Sequence, residues 1–249
     1  MAKVFGKPGG YVQNTSSRNF CKMIMWFLGG TGLFCYVFGL LNGLIIGKNK
    51  YACLFSLVFI IPAAVGFLLR KQINSRFDKL TEDIISYRKG AEGEYLTAEA
   101  LVNLPDSYAV LHDVTHPSIN GNIDHVVVGP TGVFALETKD WHGMVSLSGN
   151  SKLMLNDKYD KSKHGKVILG RSVDMNKKIE ALSGVKTFVQ AVMVFPHASV
   201  KVLPGTKSAL NVQQLNYLEN LIKKPAPSRA LTSKQVDTIT TDLKALFKL

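Results

Sequence analysis

Asp124, Glu137 and Lys139 stand on two short apolar runs, "NIDHVVVG" and "GVFALETK", separated by a Pro-Thr pair. Without these charges and His125, both runs read as buried strand. With Pro130 and Thr131 as the two central residues of a hairpin, positions summing to 261 face each other, so Asp124 lies opposite Glu137 on one face. Lys139, two residues on, shares that face. Two neighbouring carboxylates repel each other and resist burial. A divalent cation between them removes both objections. Mg²⁺ takes hard oxygen ligands at about 2.0–2.1 Å, and the backbone carbonyl of Thr138 is a third donor beside the two acids. Lys139 would then orient a water or steady charge on a phosphoryl oxygen. Ala91, Glu94, Ala98 and Leu101 fall on one face of a helix, which brings Glu94 in as a further ligand or water holder. A metal, a positioned water and a cation together suit phosphodiester hydrolysis. Taken as residue types alone, the same three charges also read as a salt-bridge cluster at a sheet edge.

The stretches "GAEGEYLTAEALVNL" and "NIDHVVVGPTGVFALETKDWHG" resemble the nuclease-related domain family, part of the PD-(D/E)xK nuclease superfamily. The resemblance runs from about Gly90 to about Phe195, under half of the chain. It implies a restriction-endonuclease-like mixed β-sheet flanked by helices and Mg²⁺- or Mn²⁺-dependent cleavage of nucleic acid, DNA before RNA. It assigns Glu94 to the acid of the first helix, Asp124 and Glu137 to metal ligation, and Lys139 to the catalytic lysine. One position departs from the family pattern. A glutamine is frequent in the helix after the basic loop, where "RSVDMNKKIEAL" carries Met175, with Asn176 next to it.

Further elements must hold these residues in place. Residues 71–104 carry a helical stripe with a break near Gly90, and Pro105 ends it. "YAVLHDV" reads as a strand, and "MVSLS", "GN" and "KLMLN" as a second hairpin. Seven basic residues follow between 158 and 178: Lys158, Lys161, Lys163, Lys166, Arg171, Lys177 and Lys178. On a flexible loop such side chains contact phosphates without reading sequence. They equally suit a solvated loop, or anionic lipid. A helix is expected from near Ser172 to Leu182, then a buried strand at 188–195 and two more helices, the last after the N-cap candidate Ser233. Helix, strands, helix, strand and helices make one α/β domain with a mixed sheet over residues 72–249. His112, His116, His125 and His142 lie around the first hairpin, but His125 alternates with Asp124 and faces the other side, which argues against a shared histidine metal site. Trp141 and His142 border the strand end, where a packed aromatic is the expected reading.

Charge is divided unevenly. Residues 1–71 hold eight basic residues and no acid, whereas in 72–249 the other 22 basic residues against 18 acids leave only +4. All three cysteines (Cys21, Cys35 and Cys53) precede residue 72, so the remainder has no disulfide framework or thiolate metal site. Residues 23–47 and 51–69 carry no charge and are long enough to span a bilayer as helices. Basic flanks at Lys3, Lys7, Arg18 and Lys22 and at Arg70, Lys71, Arg76 and Lys79 would put both ends in the cytoplasm. The resulting expectation is a two-pass anchor over 1–71, preceding the domain with two transmembrane α-helices in an inner membrane. Its partners would be nucleic acid, the lipid bilayer and a homo-oligomer or membrane complex. A binding module on an inherited nuclease scaffold, without cleavage, is the alternative. A membrane assembly component is a third reading.

Overall fold

The computed structural model describes residues 1–9, 17–24, 37, 79, 81–115, 122–148, 152–159, 163–202 and 208–247. The chain divides into two compact units: Met1–Val12 with Lys89–Leu249, and Gln13–Arg88. Of the second unit, residues 17–24, 37, 79 and 81–88 are described, all helical.

The first unit carries a six-stranded sheet and a four-stranded one. The strands are β1 (Lys3–Phe5), β2 (Ala109–Thr115), β3 (Asn122–Gly129), β4 (Gly132–Thr138), β5 (Gly143–Ser148), β6 (Lys152–Leu155), β7 (Lys158–Tyr159), β8 (Val189–Phe195), β9 (Ala198–Val202) and β10 (Leu210–Gln214). The helices are α1 (89–102 within this unit), α2 (His164–Ser183), α3 (Leu218–Lys223) and α4 (Ser233–Phe247). The larger sheet has the order β1-β2-β3-β4-β8-β10, and the smaller β7-β6-β5-β9. β2, β3 and β4 are antiparallel neighbours, whereas β4-β8, β8-β10 and β1-β2 are parallel. This is a mixed α/β fold with helices flanking the sheet.

The long apolar runs follow from burial on both faces. Val126, Val128, Val133 and Ala135 pack with Ile168, Met175 and Ile179 of α2 and with Val236, Ile239 and Leu243 of α4. Val127, Phe134 and Leu136 pack on the opposite face with Leu101, Leu104, Leu218 and Ile222. Each such side chain contributes about 1.5–3 kcal/mol on leaving water. The hairpin turn is fixed by one close approach. A Cβ on Gly129 would overlap the Tyr108 ring, and Tyr108 Oη lies 3.1 Å from Thr131 Oγ1.

Several boundaries differ from expectation. The helix passes through Gly90 unbroken. α2 starts at His164, not near Ser172, so most of the basic stretch is helical. The first residues join the α/β unit, β1 extending the sheet beside β2. The largest correction concerns the membrane. Among the described residues no helix is long and apolar enough to cross one. The two transmembrane helices, and the two-pass inner-membrane location and bilayer partnership drawn from them, are therefore withdrawn. They rested on run length, absence of charge and basic flanks, and none of these properties makes a run one continuous helix. The segments 23–47 and 51–69 themselves lie outside the described residues, apart from Met23, Ile24 and Val37.

Candidate active site

The register of β3 on β4 runs from Gly129↔Gly132 to His125↔Leu136, so the paired numbers sum to 261. Continued by one residue, it sets Asp124 opposite Glu137. At that point the ladder gives way to a side chain: the Thr138 N–H donates to Asp124 Oδ2 at 2.7 Å. Asn122 Nδ2 lies 3.5 Å from the other carboxylate oxygen. Asp124 and Glu137 are both buried, at 5% and 8% exposure.

Two cations hold Glu137. Lys139 Nζ donates to Oε1 at 2.8 Å, and Arg171 Nη1 donates to Oε2 at 3.0 Å. Lys139 is itself set by the sheet, because its N–H donates to the Val194 carbonyl at 2.9 Å and so continues the β4-β8 pairing past Thr138. Arg171 lies one turn before Met175 on α2. Met175 is fully buried in the apolar core, so Arg171 is the residue that α2 turns to the acids.

Glu94 reaches the same place from α1. Gly93 lets the helix approach, since a Cβ there would stand 3.1 Å from Asp140 Cβ and 3.5 Å from Thr138 Cγ2. Thr138 Oγ1 donates to Thr97 Oγ1 at 3.1 Å, and Thr97 Oγ1 donates to the Gly93 carbonyl at 3.1 Å. These contacts tie the helix to the end of β4. The Gly9 N–H bonds to the Glu94 carboxylate, so the N-terminal segment closes the site from another side.

Electrostatics follow from this crowding. Burial, then Asp113, pushes the Glu94 pKa up to about 7, against the pull of Lys139 and the Gly9 N–H. Burial also raises Asp124 well above the usual carboxylate range, helped by Glu137 and Glu94 and opposed by Lys139 and the Thr138 N–H. Burial alone would lower Lys139, but the Glu137 and Asp124 carboxylates more than offset it and raise its pKa. The lysine therefore stays charged, while two of the acids hold their protons unusually long.

Asp113 belongs to this cluster and was not singled out from sequence. Its position in β2 falls opposite Asp124, between the pairs His112↔His125 and Val114↔Ile123. Its φ is +55°, in the left-handed region, where a mid-strand residue is strained. Asn122 Nδ2 donates to Asp113 Oδ1 at 3.2 Å and so bridges the two aspartates. The sequence carries part of the signal, since Asp113 is the single acid of β2, but its register with Asp124 needs the β2-β3 pairing. Arg171 was expected to contact phosphate or lie on a solvated loop with the other basic residues of its run, whereas the structure pairs it with Glu137.

The other residues of that run are more open. Lys158, Lys163, Lys166 and Lys177 are exposed, Lys178 is half-buried, and Lys161 lies outside the described residues. Trp141 packs on Phe195, with ring centroids 5.5 Å apart. His125 faces away from Asp124 and meets His112 instead, Nδ1 to Nδ1 at 2.7 Å.

The family model of the nuclease-related domain, NERD, matches residues 89–196. That range contains Glu94, Asp113, Asp124, Glu137, Lys139 and Arg171, so the whole cluster lies inside the segment that the family model matches. An uncharacterized protein of Bacillus anthracis is 46% identical over 61 residues, 23% of this chain and 29% of that protein. The chain thus covers less than a third of that relative's length. No solved structure matches the chain.

Proposed function

We propose that the domain hydrolyses phosphodiester bonds of nucleic acid with Mg²⁺ or Mn²⁺. The observation that carries this reading is the group of three buried acids, Asp124, Glu137 and Glu94, with the half-buried Lys139, within a segment matching the nuclease-related domain. The donors suit a hard divalent cation, because they are carboxylate oxygens and two of them resist ionisation without more positive charge nearby. Asp124, Glu137 and the Thr138 carbonyl would hold the ion. Each Glu137 oxygen accepts one hydrogen bond, from Lys139 or from Arg171, and keeps a second lone pair for the ion. When bound, the ion supplies Lewis acidity toward a phosphoryl oxygen.

The chain's own groups do the rest. Lys139 remains protonated and offers hydrogen bonds to a non-bridging phosphoryl oxygen as charge grows there. Glu94 has a pKa of about 7 and can accept a proton from a positioned water near neutral pH. Arg171 holds Glu137 in place. Exposed Lys158, Lys163, Lys166 and Lys177 supply non-specific phosphate contact. DNA is the preferred substrate of this reading.

The test is cleavage of circular duplex DNA, single-stranded DNA and RNA by the purified full chain, with Mg²⁺, Mn²⁺ or EDTA. Metal-dependent cleavage lost in Lys139→Ala and Asp124→Asn supports the reading. Metal-dependent binding of nucleic acid with no product from any substrate replaces it with a binding module.

A further inference from the structure

β4 and β8 are parallel neighbours, and the chain leaves both at the same end of the sheet. Asp140 and His142 follow β4, and His197 follows β8. His197 Nδ1 and Asp140 Oδ1 are 2.5 Å apart, and His142 Nε2 lies 4.0 Å from that same oxygen. The two imidazole rings stack, with centroids 5.1 Å apart and planes 3° from parallel. Each residue puts a ligand atom within 4.8 Å of the other two.

A plain ion pair accounts for Asp140 and His197. It does not account for His142. That side chain is 71% exposed, and 4.0 Å is beyond hydrogen-bond reach, yet its Nε2 turns to the oxygen that His197 already engages. Three donors from two strand ends, all within 4.8 Å of one another, are a set from which a metal ion can draw its ligands.

We propose that Asp140, His142 and His197 bind a transition-metal dication of the Zn²⁺ type. Two imidazoles and one carboxylate favour Zn²⁺ and its neighbours over Mg²⁺, which prefers oxygen alone. The site is chemically distinct from the acid cluster, although Asp140 directly follows Lys139. Three protein ligands leave a position open to water or a phosphate oxygen. A bound ion also clamps the two loops that follow β4 and β8. This inference does not depend on the nuclease reading.

The experiment is a Co²⁺ titration of the untagged, metal-stripped full chain, followed by displacement with Zn²⁺. We expect a visible absorption band that saturates at one equivalent and is erased by Zn²⁺. His142→Ala and His197→Ala should each weaken binding by about tenfold or more. Asp124→Asn and Glu137→Gln should leave the band intact. Circular dichroism checks folding, and the exposure of His142 makes His142→Ala the safer variant. No saturable band, or binding unaffected by both histidine variants, overturns the proposal and leaves only an Asp-His pair. Loss of the band in Asp124→Asn with retention in both histidine variants assigns the ion to the acid cluster and overturns it equally.

Discussion

Asp124 and His125 are adjacent in sequence and bury their side chains on opposite faces of one strand. The aspartate enters a cluster of four acids and two cations. The histidine enters a pair with His112 whose rings meet edge to face at 4.9 Å. Burial favours the neutral form on both sides: it raises Asp124 and Glu94 and lowers His112 and His125. The difference lies in what stands next to them. Lys139 and Arg171 keep charge in the acid cluster, whereas burial holds the histidine pair neutral, with no carboxylate acting on it among the described residues. Low polarity alone therefore does not mark a functional site. A buried group whose charge is opposed and only partly compensated, on a face reached from three elements, is the stronger sign.

The sharpest way to break this comparison is to cut one residue on each face. Lys139→Ala or Asp124→Asn should lower metal-dependent cleavage by about a thousandfold, comparable to the loss of a transition-state electrostatic contact worth ~4 kcal/mol. His112→Leu should leave kcat within a few-fold. Equal losses in both would mean that the faces act as one unit, and the contrast drawn here would fail.

Arg171→Ala probes the acid face in another way. Its side chain is 15% exposed and that of its partner Glu137 10%. Removing one side of a pair so buried costs about 3–5 kcal/mol, because a charge stays behind without its partner. Lys139 still holds the other oxygen, so the lower end is expected. Thermal melts at neutral pH read the effect, and Mg²⁺ should restore part of the lost stability if the acids take up the ion. A melt unchanged by the substitution would make the pair a surface contact in energetic terms.

Much of the acid face was legible in sequence. The apolar runs, the two-residue turn and the sum rule placed Asp124 against Glu137, and the period-2 rule placed Lys139 beside them. Glu94 followed from helical spacing, although Gly93 explains why its helix can come so close. The rest needed tertiary context. Arg171 reads as one more basic residue until the helix starts at His164 and turns it inward. Asp113 becomes visible only when β2 is paired with β3. The histidine pair needs the same register, and Asp140, His142 and His197 need β4 beside β8, which no local pattern states. Charge-free length suggested membrane helices that the described residues do not support, because hydrophobicity over a run does not specify its partner.

Next in size is the acid limb of stability, set by the histidine face. His112 titrates near 6.5 when unfolded and about 4 when folded, because burial disfavours the imidazolium. A depressed pKa gives stability that is intact above 6.5 and is lost as pH falls toward 4. His125 shifts in the same direction and adds to the loss. His112 alone accounts for roughly 3 kcal/mol by linkage. Denaturant melts between pH 7 and pH 4 should show this slope flattened in His112→Leu. An unchanged slope would locate acid sensitivity elsewhere.

The acid face gives the opposite sign and an effect of similar size. Glu94 titrates near 4.5 when unfolded and about 7 when folded, so the folded chain holds a proton that the unfolded chain has released. Stability from this group is complete below 4.5 and is lost as pH rises through 7. The penalty at pH 8 is on the order of 3 kcal/mol. Glu94→Gln should remove it, and the gain in melting temperature over the parent should grow from pH 5 to pH 8. Mg²⁺ should produce a similar rise in the parent, larger at pH 8, because a bound cation favours the ionised carboxylates. The variant should also lose cleavage, which separates relief of strain from gain of function. If Glu94→Gln melts identically to the parent at every pH, the carboxylate is solvated and Glu94 is an ordinary surface acid. The contrast between the two faces would then rest on Asp124 and Glu137 alone.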